Sequence, residues 1–225
     1  MTATAAGRRS AARCRHRYSA NVASSPGASG WRRRIERSFA GALVSDTTYI
    51  ALLRGINVGG HTVKMDRLRG LFAEQGFGNV RSYIQSGNVF FDSDEADRRA
   101  LRSAIEAHLR AALGYQVPTC LRTVAELEQL LARDPFAGVA VTPETRLSVM
   151  FLAEPSAVSL PVPSQTPDGA YELVGTTDGE LFVVWRLRNG RPVSSYGLFE
   201  KQAGVPTTTR FWHTTAKILA AAKSG

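Results

Sequence analysis

A short segment near residue 50 contains residue types that bind anions. In YIALLRGINVGGHTVKM, residues 49–65, Arg54 directly follows an apolar run and Lys64 follows the glycines. If a helix begins near Lys64, its free backbone N–H groups and the two cations indicate a site for a phosphate or carboxylate. A second interpretation is structural: Gly59 and Gly60 supply a turn, and Arg54 pairs with a carboxylate of the protein.

The segment lacks the two glycine motifs that most often indicate nucleotide binding. It contains neither GxxxxGK[ST] nor GxGxxG, so no NTP-binding loop or dinucleotide-binding loop is predicted. The amide of Asn57 lies between Arg54 and the glycines, and we include it among the candidate ligand-binding residues.

A second polar segment, QSGN at residues 85–88, reads as a tight hairpin turn. The side chains of Gln85, Ser86 and Asn88 offer amide and hydroxyl groups, whereas Gly87 alone would explain the turn. We expect this turn and the Arg54 segment at opposite or offset ends of their sheet. Placing both in one binding site is therefore a hypothesis that a structure tests.

A third segment, TRFWHT at residues 209–214, adds cations near the start of the last predicted helix. Arg210 and Lys217 are seven residues apart, so two helical turns bring them to similar azimuths. Trp212 is expected to anchor the helix in the core. His213 is a candidate general base, but no serine, cysteine or aspartate at motif spacing supports this role. No catalytic residue is assigned.

The cysteines predict neither a disulfide nor a metal site. Cys14 and Cys120 form no CxxC pair and have no metal-ligand spacing. Cys120 lies in a predicted strand and is interpreted as a small core residue. We therefore expect no metal and no cofactor, and a reducing cytoplasm as the compartment.

Most of the net charge of +9 is concentrated in an N-terminal tail. Residues 1–40 hold nine arginines and one glutamate, whereas the other 185 residues carry 19 basic and 18 acidic side chains. A nearly neutral body is not expected to bind nucleic acid, although the basic tail could. No apolar run approaches the roughly 20 residues of a membrane span, so no membrane association is predicted.

Residues 1–45 are predicted to be a disordered, Arg-rich tail, because they contain few large aliphatic residues. Three origins stay open. An in-frame GTG start codon reads as valine when it is translated internally. The native chain could therefore begin near Val44, and the tail would then be over-extended translation. The tail could also be a genuine basic arm, or an organelle transit peptide, whose composition is similar.

The body begins with a pattern of strands and helices typical of a split β-α-β unit. Strands are predicted at 49–56, 80–85, 89–91 and 117–122, with helices from Met65 to Gly76 and from Asp94 to Leu113. This β-α-β-β-α-β order predicts a ferredoxin-like subdomain over 46–122, with both helices on one face of a four-stranded sheet.

A second, smaller α+β subdomain is predicted over 123–225. TVAE at 123–126 is a capping box that opens a short helix. Strands follow at 147–153, 171–174 and 181–187. A short helix is predicted at 195–203 and a final helix at 207–223.

Four segments together resemble a known family. These are YIALLRGINVGG, VKMDRLRGLFAEQGFGNVRSYIQSGNVFF, VPTCLRTVAELEQLL with DPF, and GVPTTTRFWHTTAKIL, spread over residues 48–222. They are similar to the bacterial domain of unknown function 1697 (DUF1697) family. The resemblance implies a cytoplasmic α+β protein of two subdomains and implies no reaction. Phe211 and His213 stand where asparagines are expected, and Val193 where a lysine is expected, so a site that uses those groups would be altered.

Three functions follow from these patterns. The first is binding of a small phosphorylated or carboxylated ligand, the second is association with nucleic acid, and the third is a protein-interaction module that uses an exposed sheet face or edge. An RNA-binding sheet needs stacking aromatics on its first and third strands, and the first strand has Ala51, Leu52 and Leu53 where an aromatic is needed. The first function is favoured, while substrate, enzymatic activity and oligomeric state are not assigned. The candidate ligand-binding residues are Arg54, Asn57, Gly59, Gly60, Lys64, Gln85, Ser86, Asn88, Arg210 and Lys217.

Overall fold

The computed structural model describes residues 46–156, 159–193 and 197–224. The predictions for residues 1–45, including Cys14, lie outside the described residues. The described part contains two antiparallel sheets with helices packed on them, which confirms the α+β class.

The first sheet has four strands in the order 2-3-1-4, and every neighbouring pair is antiparallel. Its elements follow the predicted β-α-β-β-α-β order along the chain. The strands are β1 (Thr47–Leu53), β2 (Gly78–Tyr83), β3 (Asn88–Ser93) and β4 (Thr119–Thr123), and the helices are α1 (Met65–Ala73) and α2 (Arg98–Leu113).

Helix α2 begins later than the sequence pattern predicts. Asp97, not Asp94, is its N-cap, and its carboxylate accepts hydrogen bonds from the backbone N–H groups of Arg99 and Ala100 at 2.9 and 3.0 Å. Gly114 ends the helix in the left-handed conformation, at φ 82°. An aspartate before an apolar stripe is the right signal, but three acids within four residues, Asp94, Glu95 and Asp97, leave the position of the N-cap ambiguous.

The second sheet has five strands, one more than the first, in the order 6-7-8-5-9. All its pairs are antiparallel. Its strands are β5 (Thr145–Leu152), β6 (Ser164–Gln165), β7 (Tyr171–Thr176), β8 (Glu180–Arg186) and β9 (Thr207–Phe211). The helices of this half are α3 (Val124–Ala132), α4 (Gly197–Ala203) and α5 (Trp212–Lys223). The capping box of α3 is present: the Thr123 hydroxyl accepts from the Glu126 N–H, and the Glu126 carboxylate accepts from the Thr123 N–H.

The prediction of a helix from residue 207 is wrong for its first five residues. Residues 207–211 form β9, which pairs antiparallel with β5, and the helix begins at Trp212. Three successive threonines and a phenylalanine are compatible with a strand, because β-branched and aromatic side chains suit a pleated surface. The pairing partner, β5, lies some 60 residues earlier and is not visible in a local pattern.

The two sheets share a core. Alternate residues of β1 face opposite sides: Ala51 and Leu53 contact α1 and α2, whereas Ile50 and Leu52 face the second sheet. The central core between the sheets contains Ile50, Leu52, Phe90, Cys120, Leu127, Val149, Phe151, Phe182, Val184 and Ile218. Both faces of the first sheet are therefore covered, including the face that an RNA-binding sheet would expose.

None of the helices in the described ranges combines the length and apolar character that a membrane span needs.

The environment of Cys120 predicts an unreactive thiol. Its side chain is 1% exposed in the central core, and its sulfur contacts the Phe151 carbonyl oxygen at 3.3 Å. Burial raises the pKa of the Cys120 thiol to about 11, so the nucleophilic thiolate is scarce at neutral pH. In a Cys14→Ser background we expect no labelling of native protein by a thiol reagent at pH 8, and full labelling after unfolding. Rapid labelling of the native protein would contradict the burial of this thiol.

Candidate functional site

The Arg54 segment and the QSGN turn are neighbours. Strand β1 runs antiparallel to β3, so the carboxyl end of β1 lies beside the start of β3, which directly follows the turn. The Leu53 N–H donates to the Gly87 carbonyl at 2.8 Å. The expectation that the two loops lie at opposite or offset ends is therefore wrong, because the hairpin returns the chain to the edge where β1 ends.

Asn57 ties these two loops together. Its side-chain oxygen accepts from the Val63 N–H at 2.7 Å, and its amide nitrogen donates to the Gln85 carbonyl at 2.8 Å. Its backbone is left-handed, with φ 56°, a conformation that asparagine tolerates better than most residues. Gly59 and Gly60 also have positive φ, as their predicted turn role requires. The Asn57 side chain thus holds the loop.

Arg210 lies on β9 and is buried at the junction of the two sheets. Its Nη2 donates to the carbonyls of Leu53 at 3.0 Å and Ser86 at 2.9 Å. Its Nη1 donates to the hydroxyl and carbonyl oxygens of neighbouring residues of β9. The same guanidinium therefore fixes the end of β1 and the QSGN turn.

Asn88 completes this arrangement. Its side chain is fully buried, and its oxygen accepts from Arg210 Nε at 2.7 Å. Its amide donates to the Tyr83 carbonyl and the Ser86 hydroxyl, both at 3.1 Å. We call Ser86, Asn88 and Arg210, with the carbonyl of Leu53, the Arg210 network. Three of the predicted ligand-binding residues belong to it and bond within the protein.

Arg54, one residue beyond this network, faces a cleft. Its backbone N–H donates to the Pro118 carbonyl at 2.9 Å, whereas its side chain is 44% exposed. Its guanidinium forms an ion pair with Glu200 of α4. The cleft has a volume of about 490 Å³ and is lined by Arg54, Pro118, Gly197, Glu200, Lys201, Gly204, Val205 and Pro206.

Glu200 and Lys201 are functional candidates that the sequence did not reveal. They lie on a helix of seven residues, and Glu200 is 146 positions from Arg54 along the chain. GLFEKQA reads as an ordinary amphipathic turn, and no local signal links it to the end of β1. Only the packing of α4 against the core of the second sheet brings these side chains beside Arg54 and Pro118.

The other predicted cations do not line this cleft: Lys64 and Lys217 lie elsewhere on the described surface, and Arg210 is buried. Lys64 is the N-cap of α1 and is exposed, but its side chain makes no capping bond. Lys217 is exposed on α5. Lys217 and Arg210 were expected at similar azimuths of one helix. That expectation is wrong, because Arg210 lies on a strand. Arg54, Lys64 and Arg210 therefore do not line one cleft.

The histidines and Trp212 have ordinary neighbours. Trp212 is half-buried and packs edge-on against Phe136, with ring centroids 5.3 Å apart. His213 is exposed beside the ring of Phe211. His108 contacts the Glu74 carboxylate at 3.1 Å. The described residues contain no group of three or more His, Cys, Asp or Glu side chains that could hold a metal ion.

A second cleft, of about 270 Å³, lies between α3, the end of β5 and the β7–β8 turn. Its floor is Arg122, which donates to Glu180 at 2.6 Å and to the Gly179 carbonyl at 2.6 Å. Arg98 on its rim pairs with Glu126 at 2.8 Å. Since these charges neutralise one another, this cleft offers less to an anion than the cleft beside Arg54.

The chain is similar to a known protein family and to a solved structure. The model of a family described as protein of unknown function (DUF1697) matches residues 47–182. The structure of the conserved bacterial protein SP0830 from Streptococcus pneumoniae is similar, with 26% sequence identity and a TM-score of 0.57. The similarity covers 80% of this chain and 100% of that one. Among curated proteins, no sequence matches.

The Arg210 network predicts a large stability effect. Arg210→Ala removes the donors to several buried carbonyls, and we expect the free energy of unfolding to fall by about 3 kcal/mol. Arg210→Lys keeps the charge but has a single nitrogen, so it should recover only part of the loss. Urea unfolding followed by tryptophan fluorescence measures both. The control Arg67→Ala removes an exposed ion pair and should cost about 1 kcal/mol or less. Equal losses for Arg210→Ala and Arg67→Ala would contradict the structural role.

Two glycines with positive φ separate the cost of backbone strain from that of crowding. A Cβ on Gly87 would lie 3.0 Å from side-chain atoms of Ile56 and Leu53, whereas a Cβ on Gly60 would meet nothing within 4 Å. We expect Gly60→Ala to cost about 1 to 2 kcal/mol from the left-handed conformation alone. Gly87→Ala should cost about 1 to 3 kcal/mol more, because the core must shift. Thermal unfolding monitored by circular dichroism measures the loss of stability in both variants. A smaller loss for Gly87→Ala than for Gly60→Ala would contradict the crowding at Gly87.

Proposed function

We propose that this chain, which belongs to the DUF1697 family of proteins of unknown function, binds a small anionic ligand in the cleft beside Arg54. The observation that carries this proposal is the exposed guanidinium of Arg54, which follows a strand whose last five residues are buried and which lines a shallow, open cleft of about 490 Å³. A volume of that size is typical of small-molecule sites.

The charges and walls of the cleft support an anion. Lys201 adds a second cation, and Glu200 is the one acid among the described lining residues. Pro118, Val205 and Pro206 supply apolar walls that would exclude water from one side of a ligand. A guanidinium in such surroundings binds a carboxylate or phosphate through paired N–H donors.

The predicted ligand-binding residues take different roles in this proposal. Arg54 contacts the ligand, whereas Asn57, Ser86, Asn88 and Arg210 hold the loops that position it. Contacts from the remaining candidates stay a prediction, and these are Gly59, Gly60, Lys64, Gln85 and Lys217. For the compartment we propose the cytoplasm, which suits a free buried thiol at Cys120.

One observation favours a second function, binding of a protein partner. Val58 and Ile84 are 59% and 47% exposed, and they lie on the two loops that Asn57 joins. Apolar side chains that are exposed together, rather than singly, are typical of a contact surface. For nucleic acid, the nearly neutral body offers no comparable support.

A thermal-shift screen of the full chain tests the ligand. The panel contains simple carboxylates, sugar phosphates, nucleotides and short RNA. We expect one small anionic class to stabilise the protein saturably, by about 2.7 kcal/mol at 100 times its dissociation constant. Arg54→Ala should abolish the shift.

The matched control is Arg67→Ala, which also removes an exposed arginine and its ion pair but lies outside the cleft. It should keep the full shift. Stabilisation by RNA alone, or an undiminished shift in Arg54→Ala, would overturn the proposal.

A further inference from the structure

The ion pair between Arg54 and Glu200 crosses the cleft that we propose as the binding site. Glu200 reaches Arg54 from α4, and both side chains are partly exposed, at 26% and 44%. Both also line the cleft. The strongest cation of the site is therefore occupied by a carboxylate of the protein itself.

The backbone on either side of this ion pair is held firmly. Phe199 and Ala203 of α4 are each 1% exposed in the core, so the helix is anchored on both sides of Glu200. The segment after the helix is fixed too, because the Ala153 N–H donates to the Pro206 carbonyl at 2.9 Å. Glu200 can therefore leave Arg54 by rotating its side chain, without movement of the helix.

We propose that Glu200 occupies the position of the ligand's own carboxylate and acts as a built-in competitor for it. This inference rests on the proposed function and names its ligand class as a small monocarboxylate. A glutamate side chain ends in the same group as such a ligand, so its contact with Arg54 marks where that group is accepted. The ligand binds by displacing the Glu200 carboxylate from the guanidinium.

The charge balance of the cleft favours a monoanion. Its described lining residues carry two positive charges, on Arg54 and Lys201, and one negative charge, on Glu200. Displaced Glu200 stays in the cleft because α4 does not move. A monocarboxylate then brings the total to zero, whereas a phosphate dianion leaves an excess negative charge beside the Glu200 carboxylate.

The expected size of the competition follows from the exposure of the pair. Partly exposed ion pairs are weak, so a ligand can displace Glu200. The tethered carboxylate nevertheless competes at a high effective concentration. Together these predict that removing the Glu200 charge lowers the dissociation constant of a monocarboxylate by about two- to fivefold.

The experiment compares the full chain with its Glu200→Gln variant, which keeps the shape of the side chain and removes the charge. Acetate, propionate and benzoate are titrated by calorimetry, with succinate and inorganic phosphate as dianionic comparators. We expect tighter binding of the monocarboxylates to Glu200→Gln and no binding to Arg54→Ala. Glu128→Gln breaks an exposed ion pair with Lys223 outside the cleft and should match the unmodified chain.

The outcomes separate this inference from the proposed function. Equal or weaker monocarboxylate binding to Glu200→Gln, still lost in Arg54→Ala, would overturn the competitor role and leave the anion site standing. Tighter binding of inorganic phosphate than of the monocarboxylates to the unmodified chain would overturn the ligand class alone. No binding of the monocarboxylates to either the unmodified chain or Glu200→Gln would overturn the inference, whereas the proposed function fails only if the sugar phosphates and nucleotides of the thermal-shift panel give no shift either.

Discussion

The guanidinium of Arg210 joins the two sheets at the point where β1 ends, and the local architecture depends on it. An arginine has five N–H donors in a rigid plane, so one side chain can satisfy carbonyls that come from three different segments. Here those carbonyls belong to β1, the QSGN turn and β9. Burial strengthens such bonds and makes their loss costly, because the carbonyls have no water to replace the donor. The junction is thus specified by geometry as well as by apolar contact.

This junction gives the neighbouring cleft a rigid foundation. Arg54 follows Leu53, whose carbonyl accepts from Arg210 and whose N–H donates to Gly87. The Arg54 backbone is bonded in turn to Pro118. An exposed guanidinium on a fixed backbone loses less freedom on binding than one on a mobile loop, which is the condition for a preorganised site. The buried arginine and the exposed one are therefore parts of a single arrangement.

The sequence predicted the first sheet well and its surroundings less well. Hydrophobic periodicity and glycines locate β1 to β4 and both helices, because each of these elements has a local pattern. The strand at Thr207–Phe211 was missed, because its pairing with β5 is a long-range property. The approach of Glu200 to Arg54 has the same origin: two loops and a short helix meet only after both sheets have packed. Local sequence propensity contains no information on such long-range contacts, so neither the Arg210 network nor the cleft beside Arg54 could be predicted from the sequence.

Three arginines show why residue type alone does not identify a binding site. Arg54, Arg122 and Arg210 all stand in or beside strands, and each is a chemically adequate anion ligand. Arg122 is buried against Glu180 and the Gly179 carbonyl, and Arg210 is buried among carbonyls and the Asn88 amide. Their donors already serve the fold, and withdrawing them for a ligand would leave buried oxygens unsatisfied. Arg54 is paired with the partly exposed carboxylate of Glu200, which can turn to water at little cost, so Arg54 alone of the three can exchange its partner without unfolding the structure around it.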